Sequence, residues 1–165
     1  MNNDDSKTNR VLFVCLGNIC RSPTGEGVLQ HLVDEQGLQE LIEVDSAGTA
    51  GYHTGGKADA RMREHASRRG YDLTSRARKI VADDLETFDL VIPMDRENLR
   101  DIQSLVSELE DSFAAVKLLS EFLDGDWPTD VPDPYYGGPE GFEFVLDMIE
   151  AACPSIVEYC RSQMN

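Results

Sequence analysis

Residues 10–23 read RVLFVCLGNICRSP. Arg10 to Cys15 is a short apolar run with no polar alternation, the pattern of a strand buried on both faces. Leu16 to Ser22 is a turn containing a glycine. Ser22 followed by Pro23 suits a helix N-cap with proline in the first turn. From Thr24 to about Gln36, Val28, Leu29, Leu32 and Val33 fall on one face, so this segment reads as a helix, and Gly37 stops it. Strand, tight turn and helix follow one another without a linker. In that setting the loop amides and the helix N-terminus converge on one point, which makes an oxyanion cradle. Cys15 sits at its floor, in surroundings that favour the attacking thiolate. Arg21 offers a planar fork that matches two oxygens of a phosphate. Cys-x5-Arg alone is a weak pattern; the buried strand before it, Gly17 inside it and the helix start after it carry the weight.

Outward from this stretch, the chain keeps alternating. Ile42–Ser46 reads as a second strand, Leu90–Met94 as a third and Val116–Leu119 as a short fourth. Helices are expected over Asp59–Arg69, closed by Gly70, over Asp95–Leu109 and over Pro139–Gln163. Alternation of this kind implies an α/β fold, Rossmann-like or flavodoxin-like, with a central four-stranded parallel sheet and helices on both faces. Between the fourth strand and the last helix lies an irregular stretch, Asp130 to Gly138, rich in turn formers. A loop of that length in a compact domain usually carries function.

With 165 residues, the chain suits one domain, expected over 10–165 behind a flexible lead over 1–9. No apolar run is long enough to span a bilayer and no signal peptide is legible at the start, so a cytoplasmic location is expected. Four cysteines (Cys15, Cys20, Cys153, Cys160) and three histidines stand at no metal-site spacing, so no metal is expected and reduced thiols are the default. A net charge of −16 argues against nucleic acid or an anionic membrane as partner. The charge is uneven. Residues 57–79 hold eight Lys and Arg against three acids, and residues 118–160 hold ten acids and no Lys, Arg or His. Both runs read as solvated helix faces.

VLFVCLGNICRSP resembles the signature loop of the low-molecular-weight protein tyrosine phosphatases. DPYYGG at 133–138 resembles their general-acid loop, and DSAGT at 45–49 and MDRENLRD at 94–101 resemble further segments of the family. The resemblance implies hydrolysis of phosphotyrosine and aryl phosphates through a cysteinyl-phosphate intermediate, with no cofactor. Cys15 would be the nucleophile, Arg21 the phosphate clamp and Asp133 the general acid and base. Ser22 would donate to the Cys15 sulfur. Asn18, in a left-handed turn that asparagine tolerates, would lock the loop with Ser46 as its partner. Leu16, Gly17, Asn18, Ile19, Cys20 and Ser22 would line the phosphate, and Tyr52, Tyr135 and Tyr136 would wall the ring. Phosphotyrosine-containing proteins, a tyrosine kinase among them, are the implied partners.

Other readings stand beside these roles. Asp133 before Pro134 also fits a turn starter, with Asp124, Asp126 and Asp130 as nearby acids. Asn18 and Ser46 also fit ordinary turn and strand-end positions, and Tyr52 ordinary packing. Cys20 shares the loop with Cys15 and fits either a reversible disulfide partner or a packed thiol. Ile19 stands where the related protein-arginine phosphatases carry a smaller threonine, which favours tyrosine. Ser75 stands where many members carry a loop-bracing histidine, which puts the bracing of the loop in question. Two competing functions are a thioredoxin-coupled arsenate reductase, which needs two further cysteines near the loop, and a non-catalytic phosphate-binding module.

Overall fold

The computed structural model describes residues 8–109 and 114–163. The expected lead lies outside the described residues over 1–7, and Asn9, counted in it, already belongs to the first strand. Four strands, β1 (Asn9–Cys15), β2 (Ile42–Gly48), β3 (Leu90–Pro93) and β4 (Ala115–Val116), form one sheet in the order β2-β1-β3-β4. Every pairing is parallel, with Cys15 opposite Gly48 and Val14 opposite Pro93. The α/β architecture expected from the alternation is therefore the one observed.

The period-2 geometry of β1 splits the core. Val11, Phe13 and Cys15 join one cluster, with Leu29 and Val33 of α1 (Arg21–Glu35), Met62 of α2 (Ala60–Arg68) and Leu146 and Ile149 of α5 (Pro139–Gln163). Leu12 and Val14 join the other, with Leu85 of α3 (Ala82–Thr87) and Ile102 of α4 (Arg96–Val106). Helices thus cover both faces, as a buried parallel sheet requires. No helix among the described residues is long and apolar enough to cross a membrane.

Three local expectations are corrected. Helix α1 begins at Arg21, and its N-cap is Cys20, which makes no side-chain cap bond; Ser22 already lies in the first turn because its hydroxyl is engaged elsewhere. Helix α3 was not foreseen, since six residues are too few for a helical period to register. The fourth strand is Ala115–Val116, and Leu119 opens a 3-10 turn instead of closing a strand.

The two charge runs are also not simply solvated. Arg69, at the end of α2, pairs with Glu143 at 2.8 Å, Asp147 at 3.0 Å and Glu150 at 2.5 Å, all on α5. His65 adds a 2.5 Å contact to Glu143. Arg78 bridges Asp45 and Asp84. Two of the eight basic residues, Arg69 and Arg78, are thus spent docking one helix on another and one loop on the sheet.

The chain passes from β1 through α1 to β2, then returns to β3 on the other side of β1. This is a switch in strand order, and the crevice beyond the carboxyl ends of β1 and β3 is where such sheets hold ligands. Gly48 ends β2 there. A Cβ on it would lie 2.7 Å from the Leu16 carbonyl oxygen, 3.0 Å from that of Ala50 and 3.1 Å from the Asn18 amide nitrogen. All three are backbone atoms and cannot rotate away. Gly48→Ala is therefore expected to destabilise the fold by about 2 kcal/mol, read as a lower urea midpoint at unchanged slope.

Candidate active site

The loop from Leu16 to Cys20 turns outward with its carbonyls. Those of Cys15 and Leu16 accept from Thr49 and Ala50, that of Ile19 from Asp59, and that of Cys20 from both the amide and the hydroxyl of Thr24. Among the described residues, the N–H groups of Leu16 through Cys20 donate to no backbone or side-chain acceptor. Carbonyls tied down from outside leave the donors for the concave side, and the uncapped start of α1 adds its own free N–H groups. The local sequence thus builds an anion cradle out of main chain.

Asn18 makes the turn possible. Its φ is 57°, the one positive value at a non-glycine among the described residues. Its side-chain oxygen accepts from the Arg78 amide at 3.0 Å. Its nitrogen donates to Ser22 Oγ at 2.7 Å and to Ser46 Oγ at 3.0 Å. Ser46 donates onward to Glu26 Oε1 at 2.7 Å. Burial raises the Glu26 carboxyl above its ordinary value, against the pull of the Ser46 bond and Arg78. The side chains of Asn18 and Ser22 are buried behind the loop and are not among those lining the pocket.

Cys15 Sγ lies 3.0 Å from Ser22 Oγ. Arg21 is 3% exposed, and its fork is held by Asp95 Oδ2 at 2.6 Å and by the Val131 carbonyl at 3.0 Å. Asp133 Oδ2 lies 3.7 Å from the other terminal nitrogen. Burial alone would lower the Arg21 pKa, but the charges of Cys15, Asp95 and Asp133 outweigh it, so the net shift is upward. Asp95 serves twice, because its other oxygen accepts from the Asn98 amide and caps α4. The Arg21–Asp95 pair therefore ties the loop after β1 to the loop after β3, across the switch in strand order.

Cys15, Arg21 and Asp133 share the lining of one pocket of about 290 Å³. Leu16, Gly17, Ile19 and Cys20 contribute from the loop, and Tyr52, Tyr135 and Tyr136 from the rim. Of the acids weighed beside Asp133, none lines this pocket, and Asp130 is taken by Arg96 at 3.0 Å. Asp133 also accepts from the Tyr135 amide at 3.1 Å, so its turn-forming geometry and its place in the pocket coexist. Tyr52 and Tyr136 are 78% and 92% exposed, leaving their rings available at the mouth. Tyr135 is held by its neighbours: the Arg61 guanidinium lies 5.3 Å from its ring centroid and Tyr136 meets it edge-on at 4.9 Å. His53, 6.4 Å from the Tyr135 ring, also lines the pocket and was missed. Its adjacency to Tyr52 on an exposed loop was the available signal.

Cys153 and Cys160 are buried in α5, each 1% exposed, and neither lines the pocket. A disulfide relay of the arsenate-reductase kind finds no second cysteine pair at this site. Among the described residues no three His, Cys, Asp or Glu side chains group to hold a metal ion.

The family model described as low molecular weight phosphotyrosine protein phosphatase matches residues 10–165. A low molecular weight protein-tyrosine-phosphatase of Streptomyces coelicolor is 43% identical over 162 residues, covering 96% of this chain and 97% of its own. A crystal structure of a protein tyrosine phosphatase from Entamoeba histolytica superposes with a TM-score of 0.89 at 36% identity, covering 96% of this chain and all of the other. A Drosophila arginine phosphatase superposes with a TM-score of 0.85 at 32% identity, covering 90% and 96%.

A lysine at position 21 would keep the charge but lose the fork that bonds Asp95 and an oxyanion together. Arg21→Lys is expected to weaken inorganic phosphate binding about tenfold, as measured by calorimetric titration.

Proposed function

This chain belongs to the low molecular weight phosphotyrosine protein phosphatase family, a family of hydrolases, and from that premise we propose that it cleaves phosphotyrosine through a cysteinyl-phosphate intermediate. The observation that carries this reading is the convergence of Cys15, Arg21 and Asp133 on one pocket beyond the carboxyl ends of β1 and β3. In the first step the Cys15 sulfur attacks phosphorus in line, and the bond to the phenolic oxygen breaks. Asp133, in its acid form, gives that oxygen a proton as it leaves. The Arg21 fork and the loop amides bind the three equatorial oxygens, whose charge is greatest in the transition state. In the second step Asp133, now a carboxylate, takes a proton from water. The water oxygen bonds to phosphorus, and the sulfur departs with the electron pair, steadied by the Ser22 hydroxyl.

Tyr52, Tyr135 and Tyr136 supply aromatic surface at the pocket for the ring of a phosphorylated phenol. The Drosophila relative named an arginine phosphatase gives a second substrate class to weigh. Ile19 in the lining favours tyrosine, because its larger apolar side chain narrows the space that a threonine would leave.

Reversible oxidation belongs to the same reading. Burial first, then the charges of Asp59, Cys15 and Asp133, push the Cys20 thiol up, so at neutral pH it stays protonated and is not the first sulfur oxidised. Peroxide converts the Cys15 thiolate to a sulfenic acid and is itself reduced to water. Cys20 then bonds to that sulfur with loss of a second water, closing a disulfide that dithiothreitol opens. A cytoplasmic, reducing setting and phosphotyrosine proteins as partners complete the proposal.

Four outcomes test it. Cys15→Ser is expected to abolish turnover of an aryl phosphate. Asp133→Ala should slow substrates with poor leaving groups by about 10²–10³-fold and good ones far less, across a leaving-group series. Phosphotyrosine peptides should be hydrolysed well ahead of phosphoserine and phosphoarginine peptides, and uniform slowing or a preference for phosphoarginine would overturn the assignment. For the redox step, Cys20→Ser treated with peroxide should recover less activity on dithiothreitol than the unmodified protein; equal recovery would leave Cys20 a packed thiol only.

A further inference from the structure

The hydrogen bonds behind the loop have directions that can be fixed by counting protons. The Arg78 amide can only donate, so the Asn18 oxygen faces it and both hydrogens of the Asn18 nitrogen face the two serines. Each serine hydroxyl therefore receives one hydrogen and has one of its own to place. Ser46, 1% exposed, places its hydrogen on Glu26 Oε1 at 2.7 Å. Ser22 is left with two acceptors, Cys15 Sγ at 3.0 Å and the Ala47 carbonyl at 3.4 Å. The shorter is to sulfur, an atom whose hydrogen bonds are ordinarily the longer ones.

We propose that Glu26 is a positioning residue for the phosphatase reaction, acting through Ser46, Asn18 and Ser22 to commit the Ser22 proton to the Cys15 sulfur. This rests on the cysteinyl-phosphate reading above. Without an acceptor at position 26 the buried Ser46 hydroxyl turns its hydrogen toward Asn18, where two donors then meet. Asn18 gives up one bond or shifts, and Ser22 loses the donor that oriented it. The step affected is the second one. As water bonds to phosphorus and the S–P bond breaks, negative charge gathers on sulfur, and the Ser22 bond strengthens as it does so. Attack on the substrate in the first step loses less, because there the sulfur starts with that charge and gives it up. What position 26 must supply is an acceptor oxygen, not a charge.

The test compares Glu26→Met with Glu26→Gln, side chains of one length with and without an acceptor oxygen, in the full chain. Ser46→Ala and the double variant Glu26→Met, Ser46→Ala complete a cycle. Turnover of an aryl phosphate is measured together with rapid-quench trapping of the phosphocysteine. Glu26→Met is expected to lower kcat about fivefold with KM raised no more than about twofold, and to raise the fraction of enzyme trapped as phosphocysteine. Glu26→Gln should restore most of the loss. Added to Ser46→Ala, Glu26→Met should change kcat by no more than about 1.5-fold, since the route is already cut. Normal kcat in Glu26→Met, equal loss in the Met and Gln variants, or a full further loss in the Ser46→Ala background would each overturn the proposal. The Gln variant and Ser46→Ala keep the comparison decisive if the Met variant does not fold, because a low kcat in the first or a normal kcat in the second then rejects it. If the unmodified protein turns over but traps no phosphocysteine, the reaction reading fails and this inference with it; if it traps phosphocysteine and Glu26 is inert, only this inference fails.

Discussion

A main-chain loop whose N–H groups are kept free on its concave side cannot use them to hold itself together. Everything around residues 16–20 follows from that constraint. The carbonyls are claimed from outside by Thr49, Ala50, Asp59 and Thr24, and the side chain of Asn18 supplies what the loop's own amides cannot. The positive φ at Asn18 has the same origin, since a left-handed residue reverses the direction of the peptide on either side of it. Gly48 has no side chain because the end of β2 must approach the back of the loop within backbone contact.

The electrostatics are local by necessity. A chain of net charge −16 repels anions at long range. Against that field the pocket sets only donors within a few ångströms and, among the described residues, a single buried guanidinium. Arg21 serves because Asp95 and Val131 hold its fork from behind, while Asp133 stands 3.7 Å away on the pocket side. Two other arginines of the basic run do not compete with it. Arg69 is consumed by three carboxylates of α5, and Arg78 by Asp45 and Asp84. Exposed pairs of this kind contribute little stability singly, but a cation shared among three carboxylates fixes how α2 sits on α5. That seat in turn carries Arg61, which lies over the rings of both Tyr135 and Phe142 and so steadies the acid loop from the helix side.

Much of this was legible from the chain alone where the signal is local. The apolar run of β1, the helix after it, and the stop at Gly37 express preferences of neighbouring residues, and they hold in the fold to within a few positions. Cys15, Arg21 and Asp133 stood out because each is a reactive residue type in a distinctive immediate context, and the fold brings all three to one pocket. Where a local rule had a competitor, it failed. Ser22 looks like a helix cap, but its hydroxyl has stronger calls on it from Asn18 and Cys15 than from the helix amides. The charge runs look solvated because a sequence does not say which opposite run will face them.

The sequence by itself determined the elements and the parallel class of the sheet, because these depend on residue type and on spacings of a few residues, and in the same way it singled out Cys15 and Arg21, with Asp133 marked by its Pro-Tyr-Tyr context. Only the tertiary structure decided which side chains hold those groups in place. Asp95 is 74 residues from Arg21, Val131 is 110, and Ser46 is 28 from Asn18. In sequence, Asp95 is one more helix cap, Glu26 one more charge on a helix and His53 one more polar loop residue. Their roles arise from the order β2-β1-β3-β4, which places the ends of β1 and β3 side by side and lays Glu26 on the first turns of α1 against Ser46. Strand order is set by the packing of the whole core, and no short stretch of chain contains it.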